Sequence, residues 1–180
     1  MAPETNLNLN GRWAGEYRQM GRSAPIEADL VVDADGRLTG TMRDGQTDQE
    51  LSVFEATASA GLPPGSDEQI EARLRALLPE KVSGPIRFVT HLPSDSVLEG
   101  QVEGSSVAFV KRYRGASYSG YKVGDAIVGG HSENHSVQYR GRLSRDGHTL
   151  EGRWWIETDP DQHIPRTEGS FTLQRQATAT

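Results

Sequence analysis

Residues 97–113 read Val97-Leu98-Glu99-Gly100-Gln101-Val102-Glu103-Gly104-Ser105-Ser106-Val107-Ala108-Phe109-Val110-Lys111-Arg112-Tyr113. Leu98, Gly100 and Val102 fall on every second position, as do Val107, Phe109, Lys111 and Tyr113. Successive side chains of a strand point to opposite faces, so each run presents one apolar face and one polar face. Glu103-Gly104 between them is the signature of a tight turn. The stretch is therefore an antiparallel hairpin with one buried side.

The same rhythm continues in both directions. Residues 11–19 place Gly11, Trp13, Gly15 and Tyr17 on one face and Arg12, Ala14, Glu16 and Arg18 on the other. In 25–33, Ile26, Ala28, Leu30 and Val32 align. Asp35-Gly36 then turns the chain into 37–44, where Leu38, Gly40 and Met42 align. Further strands are expected at 96–103, 106–114, 135–143, 148–157 and 168–176, with Asp146-Gly147 as another turn. Several carry glycine on the apolar face (Gly15, Gly40, Gly100, Gly141, Gly152), where strands coil sharply and a tapering barrel leaves no room for a side chain. The expected fold is all-β: an eight-stranded antiparallel up-and-down barrel, in a single domain over 1–180.

Two stretches break the rhythm. Residues 45–94 form an insertion between the third and fourth strands. In it, 51–57 and 86–91 suit short extended pieces and 66–78 suits a helix. Ser66 and Gln69 have capping-box spacing, Ile70, Leu74, Leu77 and Leu78 make one face, and Pro79 ends the helix. That apolar stripe would cover the barrel's outer wall or closed end, or form a lid over its mouth. Residues 115–134 are expected as a long loop bordering the mouth, since connections of this length tend to be functional or disordered.

Three motifs carry a family resemblance. Gly11-Arg12-Trp13 opens the first strand, Asp35-Gly36-Arg37-Leu38-Thr39-Gly40-Thr41 enters the third, and Val107-Ala108-Phe109-Val110-Lys111 precedes Tyr113. In this order they resemble the calycin superfamily of lipocalins, fatty-acid-binding proteins and avidins. The resemblance implies a ligand-binding barrel, and a closing arginine (Arg175) packed over Trp13 as in lipocalins. It does not imply biotin binding. Where avidins bind the biotin ureido group this chain has Gly15 and Tyr17, and only Trp154 and Trp155 stand near the biotin-stacking positions.

Composition narrows the chemistry. The chain has 180 residues, no cysteine and a net charge of −6. Thiol nucleophiles, disulfide frameworks and cysteine-ligated metals are excluded. An acidic balance argues against nucleic acid as a partner; Lys111-Arg112-Tyr113-Arg114 and Tyr139-Arg140-Gly141-Arg142 read as solvated strand faces. No run approaches the roughly 20 apolar residues of a membrane helix. Met1-Ala2-Pro3-Glu4-Thr5-Asn6 shows no secretory signal, and a cytoplasmic location is expected.

Placing Trp13 inside sets the register and turns Trp13, Tyr17, Phe109, Lys111, Tyr113, Tyr139 and Trp154 inward as candidate ligand-binding residues. A buried ammonium must be paired, hydrated or used. Lys111 could pair with a carboxylate such as Glu99 or Glu16, reach the rim and water, or serve as counter-ion to an anionic ligand. Among the histidines, His131 and His135 have metal-ligand spacing only on a helix, and the segment reads as loop. His91, His148 and His163 are isolated, and Asp159 and Asp161 make a weak calcium pair. No nucleophile elbow, P-loop or dinucleotide fingerprint is present.

The expected function is non-enzymatic binding of a small, partly apolar ligand, anionic in one version, with no metal and no cofactor. The alternatives are an interaction or assembly module with a packed core and a Trp155, Tyr118, Tyr121 patch, self-association included, and then an enzyme acting at the barrel mouth through Lys111 or a histidine.

Overall fold

Alternation of small apolar and charged residues builds the first eleven-residue hairpin arm and everything that pairs with it. In the computed structural model, which describes residues 8–19, 21–45, 47–80, 82–132, 134–157 and 167–177, Ala24, Ile26, Ala28 and Leu30 are buried while the residues between them are exposed. The chain divides into two compact units, one of Met1–Gln46, Pro93–Gly115 and Asn134–Thr180, the other of Thr47–Leu92 and Ala116–Glu133.

The first unit is a closed eight-stranded antiparallel barrel. Its strands are β1 (Gly11–Gln19), β2 (Arg22–Val32), β3 (Arg37–Asp44), β6 (Asp95–Glu103), β7 (Ser106–Tyr113), β10 (Ser136–Leu143), β11 (Thr149–Ile156) and β12 (Thr167–Arg175). Each neighbours the next in that order, and β12 closes on β1. This is an all-β, up-and-down barrel compatible with a calycin-like fold. Closure removes both sheet edges, which leaves no backbone ladder of the barrel unpaired.

Inward residues stack in layers, as an eight-stranded interior requires. At one end Leu9, Trp13, Leu30, Leu38, Val107, Leu143, Leu150 and Leu173 are buried. Trp13 donates Nε1–H to the carbonyl of Leu9 at 2.9 Å. The Arg175 guanidinium lies 4.8 Å from the Trp13 ring. It also donates to the carbonyls of Gly147 at 3.1 Å and Asn10 at 2.8 Å, and to that of Asn8. Arg175 thus ties the first strand's approach to the turn between β10 and β11 at this end.

The waist is filled by aromatics. Phe109 stacks on Tyr139 with centroids 4.8 Å apart, and Phe171 meets both edge-on. Glycine makes this layer possible. A Cβ at Gly141 would lie 2.9 Å from Cζ of Phe171 and 2.6 Å from the carbonyl oxygen of Glu151.

The second unit is a four-stranded antiparallel sheet in the order β4-β5-β8-β9, with two helices. The strands are β4 (Asp48–Ser52), β5 (Ile86–His91), β8 (Ser117–Val123) and β9 (Ala126–Ser132), and the helices α1 (Val53–Ser59) and α2 (Ser66–Leu77). Val53, Ile86 and Val123 form its core, packed by Ile70, Leu74, Leu78, Val82 and Tyr121.

Several expectations are corrected here. Residues 115–134 are not a loop: they fold into the hairpin of β8 and β9, whose alternation was masked by Gly120, Gly129 and Gly130. Residues 51–57 are not extended throughout. The strand ends at Ser52, which caps α1 by accepting from the Glu55 amide at 3.1 Å while Glu55 accepts from the Ser52 amide at 2.8 Å. The capping box therefore sits at Ser52 and Glu55; α2 starts instead from Gly65 in the left-handed region, and the Ser66 hydroxyl bonds the Pro63 carbonyl. The stripe of α2 is covered within its own unit by Val53, Ile86 and Val123, and Leu77, expected on that stripe, is 75% exposed.

Candidate functional site

Extending the inward parity of β3 by one step, past Leu38, Gly40 and Met42, brings Asp44 into the barrel. β7 brings Lys111 in by the same rule. The two strands are not adjacent, since β6 lies between them. Their side chains meet across its inner face. Lys111 Nζ lies 2.6 Å from Oδ1 and 2.5 Å from Oδ2 of Asp44. Lys111 is 1% exposed and Asp44 6%. Charges this deep persist only when matched and hydrogen-bonded, and here both carboxylate oxygens face the ammonium.

Around the pair stands a ring of polar and aromatic groups. Tyr113 lies under Lys111 Nζ, 4.5 Å from its ring centroid, and donates its hydroxyl to Asp44. His135 meets the Tyr113 ring edge-on at 5.5 Å. Tyr17 meets Trp154 edge-on at 5.9 Å. Ser96 Oγ donates to the Met42 carbonyl at 3.0 Å. Tyr17, Tyr113, His135 and Ile156 all keep part of their surface exposed.

Burial and the Asp44 charge together set the proton affinities. Burial pushes the phenols of Tyr17, Tyr113 and Tyr139 up, and the nearby Asp44 carboxylate raises them further. All three are neutral hydrogen-bonding groups at ordinary pH. Burial lowers the affinity of the Lys111 amine for its proton, while Asp44 acts in the opposite sense. His135 is lowered by burial and then by the Lys111 charge.

One donor stands out. Trp154 is 5% exposed, and its Nε1–H is the buried side-chain polar group without a hydrogen-bond partner among the described residues. The indole lies over Gly169, where a Cβ would come within 2.7 Å of Nε1. An unmet buried donor costs on the order of 1–3 kcal/mol. It stands in the same ring of residues as the ion pair.

All seven residues expected inside are inside: six belong to or pack against one apolar core, and Lys111 is buried beside them with Asp44. Tyr17, Lys111, Tyr113 and Trp154 gather at the polar end. Phe109 and Tyr139 belong to the packed waist, and Trp13 lies at the end under Arg175, four residues or roughly 13 Å of strand from Tyr17. The partner of Lys111 is neither Glu99 nor Glu16: Glu99 accepts from Arg112 at 3.2 Å and Glu16 from Arg18 at 2.6 Å, both outside the barrel. Asp44 and His135 were missed as site residues; the parity of β3 would have found the first. Compared with protein-family models, with curated proteins and with solved structures, the chain matches none.

The remaining candidates fall elsewhere. His131 sits in strand β9 and His135 just before β10, so their spacing places them on no common helix face. His91 Nδ1 pairs with Asp48 at 2.5 Å and its ring stacks on Tyr118 at 5.2 Å. Trp155, on the barrel, donates to Glu157 at 2.6 Å, whereas Tyr121 packs in the second unit's core and Tyr118 lies on the opposite face of that sheet. Tyr118 and Tyr121 therefore share no face of that sheet. Asp159, Asp161 and His163 lie outside the described residues.

His135 gives the site a pH signature. Its folded-state affinity is below the usual value of about 6.5, so between that value and the lowered one the unfolded chain binds more protons. The stability His135 contributes is complete above about pH 6.5 and is lost as pH falls through the lowered value. Urea titrations of the wild type should lose more stability between pH 7 and 5 than those of His135→Gln. Parallel pH curves for the two proteins would contradict this.

Proposed function

We propose that the polar end of the barrel binds one small, partly apolar and neutral molecule without chemically changing it, and that the protein is a calycin-type binding protein. The supporting observation is the unpartnered Nε1–H of Trp154, held among aromatic rings beside a buried ion pair. Pockets for small molecules are mostly apolar, with a few placed polar groups that fix orientation. Here Trp154 offers a donor, Tyr17 a second hydroxyl, and Ile156 with the ring faces of Tyr17 and Tyr113 an apolar surround. The ligand's complementary group is a hydrogen-bond acceptor such as a carbonyl oxygen.

Neutrality follows from Asp44. Its carboxylate already matches the Lys111 charge at both oxygens, so the pair has no net charge to offer an anion. A second carboxylate brought to the same place would be repelled by the first. The lack of cysteine suits a reducing compartment, and we place the protein in the cytoplasm.

Thermal-shift and tryptophan-fluorescence titrations with a panel of small carbonyl compounds, beside the carboxylates of matching shape, test this reading. Binding is expected among the neutral compounds. It should weaken about tenfold in Trp154→Phe, the worth of one hydrogen bond of roughly 1.4 kcal/mol. Binding confined to the carboxylates, or unchanged by Trp154→Phe, would refute it.

A further inference from the structure

The two edge strands of the second sheet, among the described residues, differ in kind. β4 runs Asp48-Gln49-Glu50-Leu51-Ser52, carries two acids and passes directly into α1. Charges on an edge strand discourage another strand from pairing with it. β9 runs Ala126-Ile127-Val128-Gly129-Gly130-His131-Ser132 and contains no Asp, Glu, Lys or Arg. It pairs with β8 on one side and ends the sheet on the other. Ile127 is 57% exposed, and Gly129 and Gly130 are exposed as well. A seven-residue edge without a charged side chain or a proline, and with an exposed branched apolar side chain, is a template for strand addition.

We propose that β9 pairs antiparallel with β9 of a second copy of this chain, joining the two four-stranded sheets into one continuous sheet about a two-fold axis. The side-chain pattern selects this occupant. With the axis at Val128, Ile127 faces Gly129 of the partner subunit and Ala126 faces Gly130 of the partner subunit. Each pair keeps one face of the sheet, as antiparallel register demands. The exposed isoleucine covers a residue without a side chain, and it does so twice by symmetry. No charge meets a like charge along the pairing. Pairing of β4 with β4 about Gln49 would instead set Asp48 against Glu50 of the second copy, twice by symmetry. Pairing of β4 with β9 would leave a free edge at each end and grow open chains. Pairing through β9 alone closes on itself and leaves only acidic β4 edges outside.

Sedimentation velocity of the full chain from about 1 to 100 µM is the test, since a two-strand interface of this size suits dissociation in the micromolar range. The wild type should pass from monomer to dimer over that span. Ile127→Glu places a carboxylate opposite Lys122 of its own chain, which supports the fold, and confronts the partner with a charge. Gly130→Lys adds a side chain into open space. Both variants should stay monomeric with unchanged circular dichroism, while Glu50→Lys on β4 should dimerise as the wild type does. A wild type that is monomeric throughout would overturn the proposal. So would a dimer that survives both β9 variants, or one abolished by Glu50→Lys alone.

Discussion

Lys111→Met is expected to destabilise the protein by about 3–5 kcal/mol, because it leaves the Asp44 carboxylate buried with no counter-charge. Methionine nearly matches the shape of the lysine stem, so packing changes little and the loss is electrostatic. Asp44→Leu alone should cost a comparable amount, since it strands the ammonium. The double replacement Asp44→Leu with Lys111→Met should recover most of the stability, because two apolar side chains in contact need no partner. Tyr113, which loses its acceptor, keeps part of its surface exposed and can turn to water. Urea unfolding of the four proteins gives the coupling energy directly. Additive losses would mean that the pair at 2.5–2.6 Å does not act as a unit.

Trp13→Ala should cost about 3–5 kcal/mol, the usual range for removing a buried aromatic side chain. Trp13 is 1% exposed, donates to the Leu9 carbonyl and lies under the Arg175 guanidinium. Its removal opens a space that the surrounding strands, hydrogen-bonded on both sides, cannot close. Leu9 and Arg175 lose their contacts with it as well. Trp13→Phe keeps most of the ring and should cost less than half as much. Chemical unfolding resolves the two variants, and equal losses would assign the effect to the Leu9 hydrogen bond instead of to volume.

The barrel was legible because its strands are buried on one face only. Each then shows a period of two, and hairpin turns such as Asp35-Gly36 and Glu103-Gly104 mark where the strands reverse. The second sheet was not legible for the opposite reason. Glycine and serine interrupt the apolar pattern of β8 and β9, and β4 carries too few apolar residues to show a face. The helix α1 was hidden because Val53, Phe54 and Thr57 favour extended structure in isolation, and the Ser52–Glu55 cap overrides that tendency.

The site was half legible. The inward turn of Lys111 followed from Phe109 and Tyr113 on the same face. Its partner did not, because ion pairing between β3 and β7 joins residues 67 positions apart. Sequence nearness pointed to Glu99 in the adjacent hairpin strand, yet Glu99 and Arg112 satisfy each other outside. Parity within β3 carried the information that distance along the chain concealed.

Native mass spectrometry of the freshly purified protein, beside the same sample denatured, tests ligand binding at the polar end most directly. A mass excess of a few hundred daltons at most per chain, lost on denaturation and reduced in Trp154→Phe, is the predicted result. A bare chain mass in both proteins, with no compound of the carbonyl panel shifting the melting temperature, would contradict it and leave the barrel as a packed scaffold.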